Sequence, residues 1–202
     1  MDAKKFSTKQ LVEMALLTAI IILLAFTPIG YIRTLGLEIT LIVVPVTVGA
    51  VTLGPSAGAV LGAVFGITSF IQCFGMSQFG AALLSIQPLF TCVVCVVPRI
   101  LMGWLTGCIY QGLKKTGKLR GPSVVIANLA GPVLNTVLFM GTLVLLFYQT
   151  EYIQGIAGAL GVTNAFAFVA AFVGVNGVVE AVACFVVGSA VSKALMAALK
   201  VR

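Results

Sequence analysis

The chain has 202 residues, of which 60% are hydrophobic and 8% charged, and its formal net charge is +7. A soluble domain carries about 25% charged residues, so lipid must act as solvent for much of this surface, which excludes a cytosolic enzyme, a disulfide-built secreted scaffold and a nucleic-acid-binding domain. The sequence has no histidine and only five acidic residues (Asp2, Glu13, Glu38, Glu151, Glu180), which excludes histidine catalysis and leaves no expected metal site.

A helix needs about 20 apolar residues to cross the hydrocarbon. The first apolar run, about 11–28, follows the basic residues Lys4, Lys5 and Lys9. Its length and flank are those of a signal peptide. No small-x-small cleavage site follows, and more spans come after, so it is expected to remain as a span. The second run, about 39–53, is closed by Gly54-Pro55, strong turn punctuation. The third is about 57–73. The polar stretch Gly75-Met76-Ser77-Gln78 then separates it from the fourth, about 88–113. A basic loop over 114–122 precedes the fifth run, about 124–148. A glycine-rich connection over 149–164 leads to the sixth, about 165–199. The expected fold is therefore an all-α membrane protein of six transmembrane helices, a single domain over 1–202. No internal repeat is visible, since Gly54-Pro55 and Gly131-Pro132 sit in different contexts, which speaks against an inverted-repeat transporter.

Six spans put both termini on one side. Lys4, Lys5, Lys9, Lys114, Lys115, Lys118, Arg120, Lys193, Lys200 and Arg202 all fall on that side, ten of the twelve basic residues. The positive-inside rule makes that side cytoplasmic, and a five-span count would split these clusters. The basic charge is explained by orientation in a cell membrane rather than by an acidic partner.

Close helix contact in lipid depends on small residues. Ala15 and Ala19, the run Gly54, Gly58, Gly62 and Gly66, the pair Gly103 and Gly107, and the pair Ala190 and Ala194 each repeat at spacing four. Each stripe suits packing within the bundle or docking of another membrane protein.

Four polar residues fall at broadly similar depth, in the middle to outer half of the bilayer: Arg99 in the fourth span, Asn135 in the fifth, and Asn176 and Glu180 one turn apart in the sixth. An ionised side chain at mid-membrane costs about 2.5–3.5 kcal/mol on insertion scales. Two readings stand. Arg99 and Glu180 form a structural ion pair locking two helices, or the four residues are the polar contacts of a ligand pocket. Tyr31, Gln72, Phe74 and Gln78, on the outer connections, are candidate lid contacts. Trp104 reads as a stacking residue or as filler, with filler favoured. The pair Cys92-x-x-Cys95 lies in an apolar helix without a redox-fold context and reads as packing. There is no Walker A motif and no nucleophile–base constellation, so this chain is not expected to be an enzyme or to spend ATP itself.

Taken together, several segments are familiar. They are 39–50 (ITLIVVPVTVGA) running into Leu53-Gly54-Pro55-Ser56-Ala57-Gly58-Ala59, then Pro98-Arg99-Ile100-Leu101-Met102-Gly103, Asn135-Thr136-Val137-Leu138 and Asn176-Gly177-Val178-Val179-Glu180-Ala181. This ordered set, spread over nearly all the spans, resembles the substrate-binding S-components of energy-coupling factor (ECF) vitamin importers, most closely the pantothenate-type branch. The resemblance implies a six-helix protein that captures a vitamin outside the cell. It implies partners too: a membrane T-component and two cytoplasmic ATPases, which use the ATP, with no cofactor in this chain. Family members typically dock through an A-x-x-x-A pattern in helix one, which Ala15-Leu16-Leu17-Thr18-Ala19 matches.

The expected function is uptake of a small vitamin, with pantothenate, from the resemblance, as first choice; Arg99 argues for an anion, since a guanidinium holds a carboxylate through two parallel hydrogen bonds, and folate, riboflavin, a pyrimidine precursor or a cobalamin-type ligand stay open. Asn135, Asn176 and Glu180 would take hydroxyl or amide groups. The alternatives are a self-sufficient secondary transporter or channel, and a membrane scaffold without ligand.

Overall fold

The computed structural model describes residues 7–27, 31–33, 38–115 and 122–198; for 31–33, 38–40, 122, 175–181, 183–184 and 195–198 it describes the backbone alone. The first helix, α1 (Thr8–Phe26), starts at a capping box. Ser7 Oγ accepts from the Gln10 N–H at 3.3 Å, and Gln10 Oε1 accepts from the Ser7 N–H at 3.0 Å. Two donors that a helix start leaves without partners are thereby satisfied. The helix buries one face, Leu17, Ile21 and Ala25, and leaves the rest outward. It is followed by a two-stranded antiparallel ribbon, β1 (Tyr31–Arg33) with β2 (Glu38–Thr40), in which Tyr31 pairs Thr40 and Arg33 pairs Glu38. This ribbon is the one departure from an all-helical chain among the described residues.

The second helix, α2 (Val43–Thr52), is enclosed: every residue from Val43 to Val51 is buried, and it packs against α1 and against α3 (Pro55–Gln72), α5 (Pro88–Lys115), α6 (Pro122–Phe147) and α8 (Ala165–Ala198). Its uniform Val-rich surface suits a helix with no outward face. The chain reverses from α2 into α3 through Gly54, whose φ of 102° is open to glycine. Pro55 then begins α3, where its missing N–H costs nothing.

The glycine stripe of α3 faces α5. A Cβ at Gly58 or Gly62 would overlap the backbone carbonyl of Gly103 or Arg99, and one at Gly66 would lie 2.7 Å from Val96 Cα. Gly107 meets Pro55 in the same way, at 2.6 Å from its Cα. These stripes are therefore spent on packing within the bundle, backbone against backbone. Ala15, Ala19, Ala190 and Ala194 are instead exposed.

At one end of the bundle, α4 (Gln78–Ile86), α7 (Glu151–Ala159) and the starts of α5 and α8 close over the end of α6. Leu83, Val94, Met140, Leu143, Phe147, Ile153, Ala157 and Phe168 form the core there. Ser77 Oγ caps α4 by accepting from the Gly80 N–H at 3.2 Å, and Asn164 Oδ1 caps α8 by accepting from the Ala167 N–H at 2.7 Å. At the other end, Val51, Tyr110, Val124 and Ala127 make a smaller core. Nearby, Asn128 reaches across from α6 to Ser192 on α8. Large apolar side chains still point outward, Leu145 at 85% and Phe166 at 86% exposure, as a lipid-facing surface requires.

Among the described residues, four helices are long and apolar enough to cross a membrane: Thr8–Phe26, Pro55–Gln72, Pro88–Lys115 and Ser123–Phe147. They correspond to the expected first, third, fourth and fifth spans. The expected second span is the ten-residue α2, which reaches only about 15 Å, half the hydrocarbon thickness. The expected sixth is α8, whose helix is broken at Gly174 (φ 40°, ψ −137°). The connections read as loops hold short helices, α4 and α7, because Leu83 in one and Ile153 and Ala157 in the other find cover at the bundle end.

Candidate functional site

Arg99 follows Pro98 inside α5, and the order of these two residues builds the site. Proline has no N–H, so the carbonyl four residues earlier, that of Val94, loses its helical donor. Arg99 Nη1 donates to Val94 O at 2.7 Å. The side chain thus folds back along its own helix toward the α4–α7 end of the bundle. There the guanidinium carbon lies 5.3 Å from the ring centre of Phe65 on α3 and 4.5 Å from that of Phe139 on α6. At 8% exposure it is a buried cation held against two aromatic rings. Each such contact is worth about 0.5–2 kcal/mol, rising as water is removed.

Asn135 lies one turn before Phe139 on α6 and is also 8% exposed. Its Oδ1 has no hydrogen-bond partner among the described residues. A buried amide oxygen left in this state costs free energy until a donor reaches it. Arg99 and Asn135 are therefore brought to one region of the bundle, through Phe139. Asn176 and Glu180 sit on α8, beyond its break at Gly174, and their side chains, like that of Tyr31 on β1, lie outside the described residues.

The remaining expected contacts stand in separate surroundings. Gln72 is buried, and its Nε2 donates to Ala25 O, tying α3 to the last turn of α1. Phe74 is exposed and meets Phe70 edge-on at 5.4 Å between ring centres. Gln78 is exposed at the start of α4. Trp104 is exposed on the outside of α5, away from the Arg99 face.

Sequence reasoning did not resolve the aromatic cluster that packs the core at the α4–α7 end. Phe168 and Phe172 stack at 5.2 Å on the first part of α8, and Phe79 of α4 stands 5.6 Å from Phe172 and 6.1 Å from Tyr152 of α7. The spacing of four between Phe168 and Phe172 put them on one face, but phenylalanine in an apolar helix reads as core. Phe65 and Phe139 were hidden for the same reason. Chemically, the assembly offers a cation with forked donors, an amide oxygen that accepts, and apolar ring walls. That is the composition of a small-molecule site: mostly apolar, with few convergent polar groups.

The family model described as "ECF transporter, substrate-specific component" matches residues 9–192. No curated protein matches the chain.

Proposed function

The chain belongs to the substrate-specific components of ECF transporters, and from that premise we propose that it captures a small carboxylate-bearing vitamin, pantothenate being the first choice, with Arg99 gripping the carboxylate. It is a multi-pass protein of the cell membrane. The observation that carries the reading is the placement of Arg99: a buried guanidinium against Phe65 and Phe139, with Asn135, whose Oδ1 has no partner among the described residues, one turn before Phe139 on α6. A fixed fork of N–H groups matches the two oxygens of a carboxylate. Asn135 accepts from a ligand hydroxyl or amide N–H, and Asn176 and Glu180 bring further polar groups from α8. Tyr31, Phe74 and Gln78 contribute on the lid side. Gln72 positions the end of α1 beside them.

The energising role falls to other subunits. The family implies a membrane T-component and ATPases as partners. Ala15 and Ala19 form the docking stripe, a reading supported by their exposure on α1 while the glycine stripes are consumed internally. Both termini face the cytoplasm in this reading, with six passages through the bilayer, so that the Arg99 end opens outward.

Mass spectrometry of the small molecule that stays with the purified protein tests the ligand. The expected species is a carboxylate, and a neutral or cationic molecule retained equally by wild type and Arg99→Ala overturns the grip. Co-purification of Ala15→Leu/Ala19→Leu with the ATPases tests docking, which should fall while ligand retention holds. Accumulation of solute by this chain alone in proteoliposomes would refute the division of labour.

A further inference from the structure

Cys73 and Cys95 are 22 residues apart and lie on different elements, yet their sulfur atoms are 3.8 Å apart. Cys73 is the C-cap of α3, and its Sγ also contacts Ser69 O at 3.4 Å. Cys95 lies on α5, one turn before Arg99 and on the same face. Both are buried, at 3% and 6% exposure. Helix α4 covers Cys73: a Cβ at position 80 would lie 2.6 Å from its Sγ, so α4 rests on that sulfur through Gly80. The sequence pair Cys92-x-x-Cys95, which reads as packing, is not the one whose sulfurs meet. Cys92 is half-buried, while Cys95 turns to Cys73.

We propose that Cys73 and Cys95 are the two halves of a reversible disulfide that pins the end of α3 to α5 beside the Arg99 site. The oxidant is hydrogen peroxide. One thiol, as its thiolate, attacks a peroxide oxygen; the O–O bond breaks, water leaves, and a sulfenic acid forms. The second thiol attacks the sulfenic sulfur, the S–O bond breaks, a second water leaves, and the S–S bond forms. Two thiols lose two electrons and two protons in all, and the peroxide is reduced to two waters. A dithiol reverses the reaction by exchange. The sulfurs must close from 3.8 Å to a bond of about 2.05 Å, a movement that side-chain rotation and a small shift of the α3 end supply. α4 governs access, because it is the cover over Cys73.

The test uses the full chain, purified in detergent, fully reduced and then treated with hydrogen peroxide. The expected result is a loss of about 2 Da in intact mass, a peptide map that links Cys73 to Cys95, full reversal by dithiothreitol, and a higher thermal midpoint in the oxidised form. The triple variant Cys92→Ser/Cys108→Ser/Cys184→Ser should retain all of this, and Cys73→Ser or Cys95→Ser should abolish the cross-link. The wild-type peptide map decides the matter even if a variant folds poorly. A gain of oxygen without a cross-link, a link from Cys95 to Cys92, or thiols that stay reduced would each overturn the proposal.

Discussion

Asn128 and Asn135 lie two turns apart on α6, both buried, and the bundle treats them oppositely. Asn128 Nδ2 donates to Val124 O at 2.8 Å and to Ser192 Oγ at 3.2 Å, and its Oδ1 accepts from Ser192 Oγ at 3.4 Å. Its amide is satisfied from within, and the result is a polar clasp between α6 and α8. Asn135 has no partner for Oδ1 among the described residues. In a medium without water, a polar atom left in that state is a cost that a structural role does not explain. One amide ties α6 to α8; the other has an oxygen without a partner among the described residues, and it shares its face of α6 with the ring under the Arg99 guanidinium.

The most forceful way to test this contrast is to remove the cation. Arg99→Ala should weaken binding of the carboxylate ligand about tenfold to a hundredfold, the worth of one or more charge-assisted hydrogen bonds at about 1.5–3 kcal/mol; titration calorimetry reads it. Arg99→Lys keeps the charge without the fork and should fall between. An affinity unchanged by either substitution sinks the grip.

Asn135→Ala is the next in size. It should cost about threefold to tenfold in affinity, one neutral hydrogen bond, while the thermal midpoint stays level or rises as an unsatisfied group leaves. A large drop in stability with no change in affinity would make Asn135 structural, like Asn128. Asn128→Ala should do the reverse: it lowers stability by about 0.6–1.7 kcal/mol, the range for hydrogen bonds between membrane helices, and leaves affinity untouched. Ser192→Ala should cost a similar amount or slightly less: Asn128 Nδ2 keeps its bond to Val124 O, but Oδ1 loses the donor it had in Ser192. If Asn128→Ala and Ser192→Ala add up without coupling, the clasp between α6 and α8 is not the reason for the burial.

Much of the outline was legible in the residues alone. Runs of apolar residues marked four long helices within a residue or a few of their ends, since hydrocarbon accepts little else. Arg99 and Asn135 stood out because polar atoms at that depth need a reason. The role of Pro98 was not legible: that its missing N–H frees Val94 O for the guanidinium depends on α5 continuing through the proline. Gln72 was read as a lid contact, and its bond to the end of α1 required knowing that α1 and α3 are neighbours. The enclosure of α2 was also hidden, because a valine-rich run looks the same whether it faces lipid or other helices.

Composition by itself determined the solvent: a chain this apolar and this poor in charge must fold within a bilayer, and its few polar side chains there are costly enough to be noticed one by one. Partnership was decided only in three dimensions. Which glycine abuts which carbonyl, which sulfur faces which sulfur, and which asparagine is satisfied depend on contacts between segments far apart in the chain. In lipid, where apolar surfaces gain nothing from hiding, those contacts follow from shape and hydrogen bonding rather than from hydrophobicity.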